Sequence, residues 1–458
     1  MSLLIAATAT PVRAQVGLET IVPLELRGAV SGLVVGIVHQ GQFELLRSFG
    51  TPVHPEPDFV PDSLVADAVF PFPWGSEMLI GVTARALDAQ GMLDLDAPIG
   101  DYLSELESTP LAAATVEQLL GERAGLPDIV PPPGMNWDQL LSRAGQLRLV
   151  AEPGETYSRS RVSYPLVARV LERVVGLPIN EIISAAVLTP LEMTHSSFSP
   201  VTAAAEYQLM QGYEILAEDG APEPIGHALD AGGLPVLYTS LPDLLGFAAA
   251  WMSGGLRGAS PAQPDPANGG GLMGDRWYVD GLWYEGNRAL PRATLRDLGL
   301  GFGAGLSLYP ETGTAIAVVA NGQMPTGVLS WAEAEVEAAL IEPTEGAAPG
   351  AAIADAPGLA AVPDSATLAQ MPVDLPDWVG TFANGAVTLT LALDDQGRPQ
   401  LVDEEQAVPL VRLDLDIWAI PTPAGPVPVR LTRVGGEAVI FTGGAVYGRF
   451  DPETSGDA

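Results

Sequence analysis

The placement of two β-hairpin patterns restricts what this chain can fold into more than any other feature. Residues 33–38 and 43–48 are apolar runs around His39-Gln40-Gly41-Gln42, and residues 302–309 and 314–320 flank Pro310-Glu311-Thr312-Gly313. Each reads as two strands joined by a tight turn. Between them lies a mostly helical stretch of roughly 240 residues broken by Pro and Gly. A sheet assembled from both ends of one domain, with a helical region inserted, satisfies this order. The expected class is α+β, an antiparallel sheet flanked by helices.

Two helical patterns stand out. In residues 76–90, Leu79, Val82, Ala86 and Leu87 form one apolar face, with Ser76 placed to cap the start and Gly91 to stop the end. In residues 162–175, Leu166, Val167, Val170, Leu171 and Val174 do the same, with Gly176 beyond them. Residues 342–370 are rich in Ala, Pro and Gly with little periodicity, which reads as a linker. After it, residues 387–393, 408–413, 427–432 and 438–442 alternate as short strands, the pattern of a small all-β barrel or sandwich. The expected division is a signal-like segment at 1–15, a main domain at 16–341, the linker at 342–370 and a small β domain at 371–452.

Composition removes several functions. Fifty-six acidic against 21 basic residues give a net charge of −35, which disfavours nucleic acid and anionic lipid as partners. There is no Cys, so thiolate nucleophiles and thiolate zinc sites are absent. All 21 basic residues are Arg; the chain has no Lys. Asp94, Asp96 and Asp101 lack the dense ligand spacing of a calcium loop, so no metal and no cofactor is expected. No segment has the ~18 apolar residues of a membrane span. Residues 3–7 and Val12-Arg13-Ala14 resemble the end of a secretory signal without its basic start, and the expected location is secreted or periplasmic.

Several short segments carry a family resemblance in their order. Ser31-Gly32-Leu33 precedes the first hairpin, and Gly91-Met92-Leu93-Asp94-Leu95-Asp96 with Asp101-Tyr102-Leu103 follows the first helix. Leu119-Leu120-Gly121-Glu122-Arg123-Ala124-Gly125-Leu126, Pro153-Gly154, Pro190-Leu191-Glu192-Met193-Thr194, Ala231-Gly232-Gly233-Leu234 and Ala320-Asn321-Gly322 come next. Over about residues 25–325 the chain resembles the serine β-lactamase and penicillin-binding-protein family: class C β-lactamases, D-alanyl-D-alanine carboxypeptidases and related esterases. Trp378-Val379-Gly380-Thr381-Phe382 resembles the start of a small β domain often appended to such hydrolases.

The resemblance implies a Ser nucleophile, a Lys one helical turn later, a Tyr-x-Asn loop and a Lys/His-x-Gly strand. Here those positions are replaced. Counting from Gly91 puts the nucleophile at Trp74 and the lysine at Glu77; counting from Pro153-Gly154 puts the second motif on Arg159-Ser160-Arg161; counting back from Pro310 puts the third on Leu295-Arg296-Asp297. Shifting the register by two makes Ser76 the nucleophile, with Leu79 as its helical partner, and places Tyr157 in the second motif. No register supplies a lysine. None of His39, His54, His195 and His227 lies near these segments.

The leading expectation is therefore a non-catalytic relative whose altered site binds a small ligand, a cell-wall fragment or a protein. Glu77 is expected to pair with Arg159, Arg161 or both, since a buried carboxylate needs a partner. Trp74 is read as a packing residue or a stacking platform, and Arg292 and Arg296 as loop arginines that are solvated or that add positive charge to the cleft and suit an anionic ligand. Two alternatives stand: an active esterase, peptidase or β-lactamase-like hydrolase using Ser76 with a non-Lys base and Tyr157, and a scaffold whose cleft is filled.

Overall fold

The computed structural model describes residues 31–54, 62–129, 131–132, 134–214, 223–228, 230–231, 233–254, 276–285, 290–297, 299–322, 333, 337, 375–384, 387–394, 397–403, 406–412, 417–420, 427–434, 437–442 and 445–449. The expected signal segment and linker lie outside them. The chain forms two compact units: residues 1–90, 178–262 and 280–356, and residues 91–177, 263–279 and 357–458. The helical insert is thus divided, and its first part belongs to the same unit as the C-terminal β domain.

The first unit is built on an antiparallel sheet. Its strands run in the order Gln42–Gly50, Gly32–His39, Thr314–Asn321, Phe302–Tyr309, Arg292–Asp297 and Leu282–Glu285. The N-terminal hairpin pairs directly with the late one, Leu33 opposite Ala320 and His39 opposite Thr314, as the sequence predicts. Gln40 (φ 47°) and Gly41 (φ 77°) make the two-residue turn of the first hairpin, a conformation suited to strand twist and readily adopted by glycine. The two strands Phe302–Tyr309 and Thr314–Asn321 are buried at every position, which is why they read as continuous apolar runs instead of alternating ones.

Two helices of this unit pack on that sheet. Helix Leu241–Met252 contacts the strands Gly32–His39 and Thr314–Asn321, and Ser240 caps it by accepting from the Asp243 amide at 3.3 Å. A Cβ on Gly36 would lie 2.5 Å from Leu245 Cδ1, so the missing side chain sets how closely helix and sheet approach. Helix Pro73–Ala89 contacts the strand Arg292–Asp297. It starts three residues before the expected Ser76 cap, because Pro73 occupies the first helical turn, where its lacking N–H costs no hydrogen bond. Gly91 stops it in the left-handed region (φ 68°).

The second unit contains helices Val116–Leu120, Trp137–Gln146 and Ser163–Val175. The first two open with reciprocal caps, Thr115 with Gln118 and Asn136 with Gln139. Gly176 (φ 81°) ends the third, as expected. Among the described residues, the C-terminal β domain is one antiparallel sheet of nine strands, the all-β module that the sequence predicts. Its order is Gln406–Pro409, Pro399–Asp403, Val387–Leu393, Gly380–Asn384, Ala445–Arg449, Glu437–Thr442, Val427–Val434, Ile417–Ile420 and Val411–Arg412. Only Leu410 separates the two edge strands along the chain, so the sheet curls round on itself. Phe382, Leu391, Trp418, Val429 and Ile440 fill its core. Among the described residues, no helix is long and apolar enough to cross a membrane.

Candidate functional site

Strand Val69–Phe72 pairs with Leu237–Ser240 and runs without a loop into helix Pro73–Ala89. That continuity fixes the first helical turn, which carries Trp74, Ser76 and Glu77. Ser76 is fully buried, and its hydroxyl donates to the Pro235 carbonyl at 2.7 Å and accepts from the Leu237 amide at 3.2 Å. Its proton and one of its lone pairs tie the helix to the neighbouring strand segment. Glu77 is buried at 6% exposure and Trp74 is half-buried. Across from this helix, the strand Arg292–Asp297 carries Leu295, Arg296 and Asp297, and Leu295 is buried. The first and third altered motifs therefore lie on elements in contact.

Arg292 and Arg296 do not add free positive charge. Arg292, 7% exposed, bridges Glu285 at 2.9 Å, Glu333 at 2.8 Å and Glu337 at 3.2 Å. Arg296 pairs with Glu333 at 3.1 Å. Ser307 donates to Glu333, and Tyr309 donates to Glu337 at 3.0 Å. Burial works against the Arg292 charge, but Glu333, Tyr309 and Glu285 outweigh it and hold the guanidinium firmly protonated. Both readings of these arginines, solvated or adding charge to a cleft, give way to ion pairs with carboxylates about 40 residues downstream, which the local sequence around Arg292 does not announce.

The second motif forms in the other unit. Along residues 157–162, Ser158 and Ser160 are buried while Arg159 and Arg161 are half-buried, an alternation that separates the serines from the arginines. The serines anchor the loop: Ser158 Oγ donates to the Leu126 carbonyl at 2.8 Å and Ser160 Oγ to that of Pro127 at 2.7 Å. Buried Glu122 accepts from the Ser160 amide at 2.9 Å and from the Ser163 hydroxyl at 2.6 Å. Glu122 adopts φ 52°, and its carbonyl accepts from the Ser158 amide at 2.7 Å.

Arg161 is gripped by Asp128. The carboxylate accepts from Arg161 Nε at 3.1 Å, from Nη2 at 2.9 Å and from the Arg161 amide at 3.0 Å. This planar two-point pairing gives Arg161 a carboxylate partner that lies two residues beyond the Leu119–Leu126 landmark. Arg159 lies over the Tyr278 ring, 5.6 Å from its centroid. Tyr157 is buried edge-on against the same ring at 6.1 Å, and Tyr164 meets it at 6.4 Å. The tyrosine of the alternative register is thus part of an aromatic cluster. Two of the histidines serve as local ties, His39 to Thr314 and His54 to Ser31, each at 2.8 Å.

With this geometry in place, the relationships of the chain are clear. The beta-lactamase family model matches residues 12–340, and the chain belongs to that family. No curated protein matches it. Among solved structures, SurE aligns at 20% identity with a TM-score of 0.74, covering 96% of this chain and 99% of its own. The octameric penicillin-binding protein homologue from Pyrococcus abyssi aligns at 17% identity and TM-score 0.58, covering 92% and 96%. A class C beta-lactamase from Rhodobacter sphaeroides aligns at 21% and 0.55, covering 72% of this chain and 99% of its own. At these identities the likeness is one of fold, and the first two extend it through the C-terminal β domain.

Proposed function

We propose that this protein is a non-catalytic member of the beta-lactamase family that binds a ligand outside the cytoplasm. The observation that carries this reading is the state of Ser76, the one serine a shifted register offers as nucleophile. Its proton and one of its two lone pairs are engaged in buried hydrogen bonds to the Pro235–Leu237 segment. Deprotonation for attack on a carbonyl would require breaking the bond to Pro235, and the chain holds no lysine to take the proton. The replaced positions are large or charged, Trp74, Glu77, Arg159 and Arg161, and so retain the means to recognise a ligand. The signal-like residues 1–15 support an extracytoplasmic location.

The test combines a fluorophosphonate serine probe, a panel of chromogenic esters and β-lactams, and a thermal-shift screen with peptidoglycan fragments. The expected result is no labelling, no turnover and a raised melting temperature with at least one fragment, because a ligand bound only by the folded state stabilises it. Labelling that disappears in Ser76→Ala overturns the non-catalytic reading. A flat thermal-shift screen overturns the binding role.

A further inference from the structure

Arg161 is 40% exposed, yet its geometry is set by a residue that lies in neither its loop nor its helix. Asn384 ends the first strand of the β domain and is itself 2% exposed; its Oδ1 accepts from the Asp128 amide. Asp128 in turn holds Arg161 at the backbone and at two guanidinium nitrogens. The strands Gly380–Asn384 and Ala445–Arg449 pair with Phe382 opposite Arg449 and Ala383 opposite Gly448. Tyr447 feels both members of the ion pair: burial raises its hydroxyl pKa first, Asp128 raises it further and Arg161 lowers it.

We propose that Asn384 is a positioning residue for the altered site, and that the β domain acts through it and Asp128 to hold Arg161 in the conformation a ligand meets. The proposal rests on reading the Arg159–Arg161 loop as a binding element. The physical reason is preorganisation. A half-exposed arginine samples many rotamers, and a ligand that uses it must suppress that freedom. Fixing the Asp128 backbone from a buried strand end removes it in advance. The β domain then shapes recognition without itself needing to touch the ligand.

The experiment needs no ligand, so its failure is distinguishable from failure of the binding role. Arginines of the full chain are modified with phenylglyoxal and each site is quantified by peptide mass spectrometry. In Asn384→Ala, Arg161 is expected to react at least fivefold faster than in the native protein. Arg398, an ion-paired arginine elsewhere in the β domain, is expected to keep its rate. Asn384→Asp retains the acceptor and is expected to return Arg161 to within twofold of native. Asp128→Asn keeps the amide contact but removes the charge; it is expected to speed Arg161 and to lower the pH at which Tyr447 ionises, read as the tyrosinate absorbance missing in Tyr447→Phe. An unchanged Arg161 rate in Asn384→Ala, or an equal acceleration at Arg398, overturns the proposal. If Asn384→Ala does not fold, Asn384→Ser, polar but too short to reach the amide, decides on the same criteria.

Discussion

Ser76 fastens a helix to a strand. Its hydroxyl joins the first turn of a helix to the strand that precedes helix Leu241–Met252, and its exposure is zero. Ser76→Ala would leave a buried carbonyl and a buried amide without their partner, a loss of about 1–3 kcal/mol. The expected outcome is a lower urea midpoint with an unchanged denaturant slope. Arg292 makes the stronger case. Replacing it with Met removes a cation shared by the buried carboxylates Glu285 and Glu333, leaving Glu333 with Arg296 and Ser307, and breaking a buried ion network from one side costs up to about 3–5 kcal/mol. Urea unfolding of Arg292→Met measures that loss, and an unaltered midpoint would show the carboxylates to be solvated. The sequence names Arg292 but not its role, because Glu333 and Glu337 meet it only through the fold. The same holds for Arg161, whose partner Asp128 stands 33 residues earlier.

At the level of elements, helix Pro73–Ala89 is held by an unusually close backbone approach. Asp280 (φ 55°) and Gly281 (φ 78°) turn directly against it, with Arg85 paired to buried Asp280 at 2.5 Å. A Cβ on Gly281 would lie 2.6 Å from the Met78 amide nitrogen, and one on Gly81 would lie 2.7 Å from the Asp280 Cα. Both obstacles are backbone, so neither can rotate aside. Gly281→Ala also forces an L-residue into the left-handed region, adding ~1 kcal/mol of strain to the steric clash. The expected result is a destabilised protein with faster hydrogen exchange across residues 73–89. Element types were legible in the sequence wherever apolar periodicity and a glycine stop coincided, as at Gly91 and Gly176. The start of this helix was not, since Ser76 offered a familiar cap and Pro73, the actual opening residue, reads equally well as part of an extended approach. The sequence names the residues expected at the three motif positions; which side chains restrain Arg161, Arg292 and Arg296 depends on contacts distant in sequence.

For the whole molecule, charge and buried phenols set the response to solution conditions. A net charge of −35 repels itself most strongly at low ionic strength, and added salt screens it. The melting temperature is expected to rise as NaCl is raised from ~10 mM to ~200 mM. Alkaline pH acts oppositely. Burial pushes the Tyr238 hydroxyl up to about 12, and burial also raises Tyr284 and Tyr309. In the unfolded chain these phenols ionise near ~10, so the unfolded state loses protons first. Stability from these groups is complete below ~10 and falls as pH climbs through the folded values. Equilibrium unfolding between pH 9 and 12, native against Tyr238→Phe, is expected to show a shallower decline in the variant.

The nine-stranded sheet carries one more consequence. Its first strand, Gly380–Asn384, pairs with its last, Ala445–Arg449, while Leu410 alone links the two strands at the sheet's edges. The domain is therefore a cycle in all but covalent connection. Joining its entrance to its exit and reopening it at Leu410 would renumber the strands without changing any strand's neighbours. A module with that property can be carried by a host chain at either end or within a loop, and its attachment to Asp128 by a strand terminus, Asn384, lies at the point where host and module meet.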